Sequence, residues 1–313
     1  MRGDEFTTAV EPHRHELHVH CYRMLGSVHD ADDLLQETMV RAWRAFDRFD
    51  PNRASLRTWL YRIATNACLT ALESRARRPL PSGIGARFED PDADFVPGVE
   101  VPWLQPIPTD PAASAVERDG LRLAFVAAIQ LLPPRQRAVL LLREVLDVPA
   151  AEVAALLDTT TASVNSALQR ARARLAQLGV DPHGVTAPPA EQRAVVDRYV
   201  AAFERADVAG IVALLTADVV LEMPPMWNWY AGIDAYAGFM RRVFHRRGTD
   251  WRTEPLWANG EAGFVAYADG GLHTVQIVTV DAGRVSRLTA YQDDRVFELF
   301  GVGPRDELGP PRR

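Results

Sequence analysis

Between Pro149 and Arg174, short hydroxyl and amide side chains give way to arginines: Thr161, Ser163, Asn165, Ser166 and Gln169, then Arg170 and Arg172. Hydroxyls and amides of this size can hydrogen-bond base edges, and guanidinium groups clamp phosphates, so a helix with this order suits reading a DNA groove. The residues ahead of it support that geometry. Pro149 fits the first position of a helix, and Ala154, Asp158 and Val164 stand where a helix-turn-helix needs a small residue, a left-handed turn residue and an inward apolar residue. Asp takes the place of the usual glycine at the turn and tolerates that conformation better than most residues. The same pattern also fits a surface helical hairpin in a bundle.

A second group is spread over residues 55–78: Arg57, Arg62, Thr65, Asn66, Arg75, Arg77 and Arg78, with Trp59 and Tyr61 among them. Aromatic rings interleaved with arginines are what a melted nucleic acid strand requires, because bases stack on the rings while cations hold the backbone. Trp59 would equally serve as core beneath a solvated face. A third group, Asp32-Asp33-Leu-Leu-Gln-Glu37 followed by Arg41 and Arg44, is by itself an acidic helix start favourable to the helix dipole.

The elements that must position these groups follow from periodicity. Ala31, Leu34, Leu35, Met39, Ala42, Trp43 and Phe46 recur at three- and four-residue steps and predict one buried helix face, with Asp30 as its N-cap. Leu56, Trp59, Leu60, Ile63, Ala64 and Ala67 repeat the pattern from a Ser55 cap until Pro79. Two or more helices follow over 121–178, broken most sharply at Leu146-Asp-Val-Pro149. From about 188 the pattern changes to a helix, Gln192–Arg205, and then β-rich runs at 219–223, 263–267, 272–280 and 285–291. The expected fold is multidomain: two all-α domains and a C-terminal α+β domain. Residues 79–111 contain eight prolines and few periodic apolar positions, which predicts an extended linker rather than a packed element.

Composition narrows the function classes. The chain has 313 residues, 47% hydrophobic and 24% charged, enough for two or three domains. All 35 basic residues are arginine, and the net charge of −6 argues against a free-standing DNA-coating protein. Residues 81–120 hold eight acids against two arginines, so an acidic stretch separates two near-neutral or basic ones. Cys21 and Cys68 read as core thiols in a reducing cytoplasm. With no apolar signal core and no stretch of about 18 apolar residues, neither export nor a membrane span is expected.

Three long motifs occur in order: Asp30-Ala-Asp-Asp-Leu-Leu-Gln-Glu-Thr-Met-Val-Arg-Ala-Trp, Leu56-Arg-Thr-Trp-Leu-Tyr-Arg-Ile-Ala-Thr-Asn-Ala-Cys-Leu preceded by Phe49-Asp-Pro, and Leu132-Pro-Pro-Arg-Gln-Arg-Ala-Val-Leu-Leu-Leu-Arg-Glu-Val. They resemble the sigma-2 and sigma-4 domains of extracytoplasmic-function sigma factors. Val164-Asn-Ser-Ala-Leu-Gln-Arg-Ala-Arg is similar to the family's recognition helix, with Asn165 and Ala167 where many members carry a basic residue. The tail resembles a SnoaL-like domain of the NTF2-like cone fold, and Met223-Pro-Pro-Met-Trp-Asn-Trp-Tyr-Ala-Gly232 is similar to a motif of the SigG-like group of such factors.

The resemblance implies sigma-2 over 10–79, an acidic linker over 80–117, sigma-4 over 118–178, the SnoaL-like domain over 188–302 and a tail over 303–313. It implies that Asp32, Asp33, Leu35, Gln36, Glu37 and Arg41 dock on the β′ clamp helices of core RNA polymerase, with the β flap as a further contact. Arg53, Arg57, Trp59, Arg62, Asn66, Arg75, Arg77 and Arg78 would open and hold the −10 element. Thr161, Ser163, Asn165, Ser166, Gln169, Arg170 and Arg172 would read the −35 element, with promoter DNA bound as part of holoenzyme. The linker would thread the polymerase cleft as a nucleic-acid mimic, or act as a plain solvated tether. In the tail, Met223, Trp227, Trp229, Tyr230, Phe239, Tyr267 and His273 would surround a pocket for a small-molecule ligand.

No catalysis, cofactor or metal is expected. Asp269 before Gly270-Gly271 reads as a turn residue, and His273 on a β-run as a half-buried histidine. The tail is then a fused regulator. The alternatives are an active cyclase or isomerase, or a small-molecule sensor, fused to the factor; a further one is a polymerase-independent helix-turn-helix repressor.

Overall fold

A computed structural model describes residues 2–52, 54–74, 77–112, 120–181 and 187–303. Two compact units emerge. Residues 1–78 and 124–183 form the first; residues 79–123 and 184–313 form the second.

The first unit is helical. Its chain starts with α1 (Arg2–Val10) and α2 (Arg14–Leu25), and Gly26 closes α2 in the left-handed conformation at φ 71°. Helix α3 (Val28–Ala45) is capped by Ser27, whose hydroxyl accepts from the Asp30 backbone N–H. Asp30 is therefore inside the helix and not its cap; its carboxylate pairs with Arg78 at 2.8 Å. Helix α4 (Leu56–Ser74) is capped as expected, with the Ser55 hydroxyl 3.0 Å from the Thr58 N–H. Leu17, Tyr22 and Met24 of α2, Ala31, Leu34 and Ala42 of α3, and Leu60, Ala64 and Cys68 of α4 are all at most 4% exposed, which is the burial that holds these three helices together. Trp43 departs from its expected place on that face. At 47% exposure it stands outside the bundle with Val40.

Among the described residues, four more helices complete the unit or lead into it. In chain order after α5 (Pro81–Ile84), a short helix of the second unit, they are α6 (Leu123–Gln130), α7 (Pro134–Leu140), α8 (Ala150–Leu156) and α9 (Thr161–Gln177). Helix α7 runs on into a wider turn, Leu141–Val145, and Asp147 at φ 50° breaks the path before α8. Asp158 takes the left-handed turn at φ 49°, and Val164 is fully buried behind it.

The second unit is an α+β domain. Its six-stranded sheet has the order β2-β1-β6-β5-β4-β3, built from β1 (Leu215–Glu222), β2 (Trp229–Ala231), β3 (Trp251–Ala258), β4 (Glu261–Ala268), β5 (Gly271–Asp281) and β6 (Arg284–Tyr291). Only β1 and β6 are parallel; every other pair is antiparallel. Helices α10 (Pro189–Glu204), α11 (Val208–Val212) and α12 (Ile233–Arg247) close over the sheet, and α13 (Asp294–Leu299) follows the last strand. Tyr199 and Phe203 of α10, Tyr236 and Met240 of α12, and Phe264 and Leu288 of the sheet share one core.

Apart from the single turn of α5, the proline-rich segment is extended, but it is packed. Its backbone polar groups find partners on the α+β domain, as buried backbone must. Val96 N–H donates to Asn228 Oδ1 at 2.7 Å, Ile107 N–H to Asn259 Oδ1 at 3.0 Å and Ser82 N–H to Glu222 Oε1 at 3.0 Å, and past the segment the first residue of α6, Leu123, donates its N–H to Glu261 Oε2 at 2.8 Å. These four acceptor side chains are at most 1% exposed. At Gly238 of α12 a Cβ would lie 2.7 Å from the Pro91 ring, so glycine is what lets the segment press against the helix. Neither a free tether nor a solvated spacer describes this stretch.

Candidate functional site

The outer face of α9 is built by its cap and its buried stripe. Thr160 accepts from the Ser163 N–H at 3.2 Å, while Val164, Ala167, Leu168, Ala171 and Leu175 turn inward. Thr161, Ser163, Asn165, Ser166, Gln169, Arg170 and Arg172 are left exposed on the other side. Arg170 reaches Ser166 one turn back on the helix at 2.6 Å, and Arg172 pairs with Glu144 of the Leu141–Val145 turn at 2.5 Å. All seven expected DNA-reading positions are thus brought to one accessible face.

The α4 group divides. Trp59 is half-buried and packs with Phe49 (ring centroids 5.2 Å apart) and Phe46 (6.5 Å), forming one wall of a cleft of about 540 Å³ that Arg48, Arg62, Glu152 and Leu156 also line. Helix α8 lies across this cleft: Thr58 donates to Glu152 at 2.6 Å, and Arg62 is 3.4 Å from Asp158. Arg57 bonds Glu16 at 2.8 Å and stands over the Tyr61 ring at 5.0 Å. Hydrogen bonds and the Arg57 charge hold the Glu16 carboxylate below its usual range despite the opposing desolvation, the largest single influence. Asn66 is half-buried and Arg77 exposed, while Arg53 and Arg75 lie outside the described residues. Thr65, expected on the polar face, is fully buried and hydrogen-bonds His20 at 2.9 Å. Burial, reinforced by Arg23, pushes His20 down to about 3.

On α3, Asp33 and Gln36 are exposed, Asp32 is 2.8 Å from His18 Nε2, and Glu37 pairs with Arg41 at 2.5 Å. Leu35 does not join them. At 8% exposure it belongs to the bundle stripe, because 35 falls on the same helix face as 31, 38, 39 and 42. The apolar surface the helix does present is Val40 and Trp43, the second of which spacing alone places inward.

Arg137, passed over as a core residue, is 1% exposed. It donates to the carbonyls of Ile129 (2.9 Å), Gln130 (2.9 Å), Leu132 (3.3 Å) and Met24, and to Gln130 Oε1 (2.7 Å). Gln130 in turn donates to the Arg23 carbonyl at 3.0 Å, so one buried guanidinium ties α7 to α2. Desolvation lowers its pKa to about 9.

The α+β domain encloses a cavity of about 300 Å³ lined by Leu221, Met223, Phe239, Met240, Leu288 and His273 among others, with Phe95 of the packed segment at its wall. Of the seven expected pocket residues, Met223, Phe239 and His273 line it. Trp227, Trp229, Tyr230 and Tyr267 do not. Trp227 N–H donates to the Val96 carbonyl and Trp229 Nε1 to that of Gly85, so these tryptophans hold the packed segment. Tyr230 is fully buried in the core, and Tyr267 on β4 hydrogen-bonds Glu254 at 3.4 Å. Asp269 occupies a turn at φ 49°. Burial, with Arg247 nearby, pushes His273 down to about 4.

The chain thus combines a helical unit with an α+β domain that holds a cavity, and comparison with known proteins gives the class. Residues 9–78 match Sigma-70 region 2, residues 122–175 match Sigma-70 region 4, and residues 196–298 match the SnoaL-like domain. The chain is 45% identical to the ECF RNA polymerase sigma factor SigG of Mycobacterium tuberculosis, over 96% of this chain and 84% of that protein. It is 30% identical to SigJ of the same organism, over 92% and 88% of the two chains. The crystal structure of SigJ superposes with a TM-score of 0.66 across 91% of this chain and 95% of that one, at 24% identity. The protein belongs to the ECF RNA polymerase sigma factor family and carries a C-terminal SnoaL-like domain. Among the described residues, no helix is long and apolar enough to cross a membrane.

Proposed function

We propose that the chain directs core RNA polymerase to a particular promoter set in the cytoplasm, with α3 docking on polymerase, α4 and the loop before it handling the −10 element, and α9 reading the −35 element. The observation that carries this is the α9 face, where seven polar or cationic side chains stand exposed over a buried opposite stripe. On α3 the docking surface is Asp33, Gln36, Glu37 and Arg41, extended by Val40 and Trp43; a tryptophan at 47% exposure is costly in water and suits a partner surface. The β′ clamp helices and the β flap are the corresponding surfaces on polymerase.

Helix α8 bears on when these contacts form. Asp158 engages Arg62, a position expected to hold the −10 strand, and Glu152 engages Thr58 beside Trp59, so promoter opening requires α8 and the turn after it to leave the cleft. The SnoaL-like domain acts as a non-catalytic regulator of that step and takes a ligand in its cavity. His273 is the one titratable cavity residue of the expected set, and burial keeps it neutral, with Trp251 5.2 Å away and no carboxylate paired with it among the described residues.

The test uses the full chain, since residues 79–112 depend on the SnoaL-like domain for their backbone partners. Asp33→Ala should weaken binding to purified core polymerase about five- to tenfold while leaving −35 recognition intact. Arg170→Ala should reduce −35 engagement by a similar factor, as loss of one base or phosphate contact does, with core binding unchanged. The reverse pattern, or initiation from no promoter by a chain that binds core, overturns these roles.

A further inference from the structure

We infer that the cavity of the SnoaL-like domain takes an apolar molecule carrying one anionic group, a carboxylate or a head of the same charge. This rests on the cavity being a ligand site, as proposed above, and specifies the class of ligand.

The walls set the body of that molecule. Leu221, Met223, Met226, Phe239 and Leu288 surround about 300 Å³, at the small end of the usual range for small-molecule sites. The charge comes from α12. Arg242, Arg246 and Arg247 all line the cavity, and none has a carboxylate within 4 Å among the described residues. Arg242 is the informative one, because it is only 6% exposed. Its Nη1 donates to the carbonyls of Pro91 (2.9 Å) and Ala93, and its guanidinium lies 4.8 Å from the centre of the Phe95 ring. Its Nε and Nη2 are buried with no acceptor among the described residues.

A buried guanidinium with two unused donors is strongly unfavourable unless something supplies oxygens to it. A carboxylate does so in the geometry the fork prefers. Arg246 and Arg247, exposed on the following turn, add attraction without burial cost. A neutral His273 leaves the arginines as the source of positive charge. Gln276 adds a second polar demand: its Nε2 bonds Thr274 at 2.8 Å, and its buried Oε1 has no donor among the described residues. The ligand also touches Phe95, so occupancy is felt by the very segment that joins the two DNA-binding halves in sequence.

Octanoate and octanamide share a chain and differ in charge, which makes them the probes for calorimetric titration of the full-length protein at neutral pH. Octanoate should bind about tenfold or more tightly than octanamide. Arg246→Gln combined with Arg247→Gln, both at exposed positions, should cut octanoate affinity about fivefold and leave octanamide unchanged. Ala290→Leu, which narrows the cavity from β6, should weaken both. Equal affinities that both fall in Ala290→Leu would overturn the anionic class while leaving a ligand cavity. Octanoate binding that Ala290→Leu leaves untouched would place the anion elsewhere on the surface and overturn the inference. Binding of neither probe would overturn the ligand site itself.

Discussion

The cleft between α4 and α8 and the cavity of the SnoaL-like domain are both concave, both walled by aromatic residues and both fringed by arginines, yet they treat charge in opposite ways. In the cleft, Arg62 and Thr58 are already engaged by acids of the same unit, Asp158 and Glu152. In the cavity, Arg242, Arg246 and Arg247 have no such partner among the described residues. On the proposed function, a phosphate backbone could use the first site only after Glu152 and Asp158 leave it, whereas the second already presents its charge.

The strongest way to break this contrast is to remove the group that holds the two DNA-binding halves in one unit. Arg137→Met replaces a buried guanidinium with an apolar chain and strands the carbonyls of Met24, Ile129 and Leu132 and the Gln130 side chain. Breaking such a buried network costs about 3 kcal/mol or more. Urea denaturation should show the helical unit unfolding at a markedly lower midpoint. An unchanged midpoint would mean that the α2–α7 connection is not held by Arg137.

A smaller effect is expected at the lid of the cleft. Glu152→Gln together with Asp158→Asn keeps the size of both side chains and removes two charges facing α4. The Arg62–Asp158 pair is solvent-exposed and worth at most about 1 kcal/mol, and the Thr58 hydrogen bond about as much. Open-complex formation by reconstituted holoenzyme should rise about five- to tenfold. If it does not rise, α8 does not compete with promoter DNA, and the cleft is no more guarded than the cavity.

How much of this was legible differs between the two regions for physical reasons. The cleft side was largely readable because a helix repeats its environment every three to four residues. The stripes of α3, α4 and α9 were visible, and Asp158 was identified as the left-handed residue it is. Errors arose at stripe edges. Trp43 and Leu35 are both apolar and both fit the spacing of α3, but only Leu35 lies far enough round the helix to be covered. Around the cavity, the decisive contacts join residues far apart in sequence. Asn228, Asn259, Glu222 and Glu261 look like surface residues in a string, and only the fold shows that each accepts a hydrogen bond from a backbone N–H about 130 to 150 positions away. Prolines and acids signalled an extended stretch over residues 79–111, which the short turn of α5 interrupts. They carried no signal that the segment would be bound. Arg242, in a helix with three other arginines, gave no sign of being the buried one.

The smallest expected effect sharpens the comparison through pH. Each region contains a histidine that burial keeps neutral: His20 in the helical unit, pushed down to about 3, and His273 at the cavity, pushed down to about 4. Their unfolded values lie near 6.5, so the native state resists protonation that the unfolded chain accepts. The stability each contributes is fully present above about pH 6.5 and is lost as pH falls toward the folded value. Between pH 7 and pH 5 that is about 2 kcal/mol per histidine. The helical unit also holds His18, which burial lowers against the opposing charge of Asp32, so it should lose stability on acidification more steeply than the SnoaL-like domain. Thermal unfolding of the full chain at pH 7 and pH 5 tests this. Two transitions should draw apart as the first falls further, and His273→Gln should flatten the response of the second alone. Bound octanoate should also protect the second transition while it remains ionised. Its carboxylate would then supply the anion that the cleft draws from its own chain and the cavity lacks.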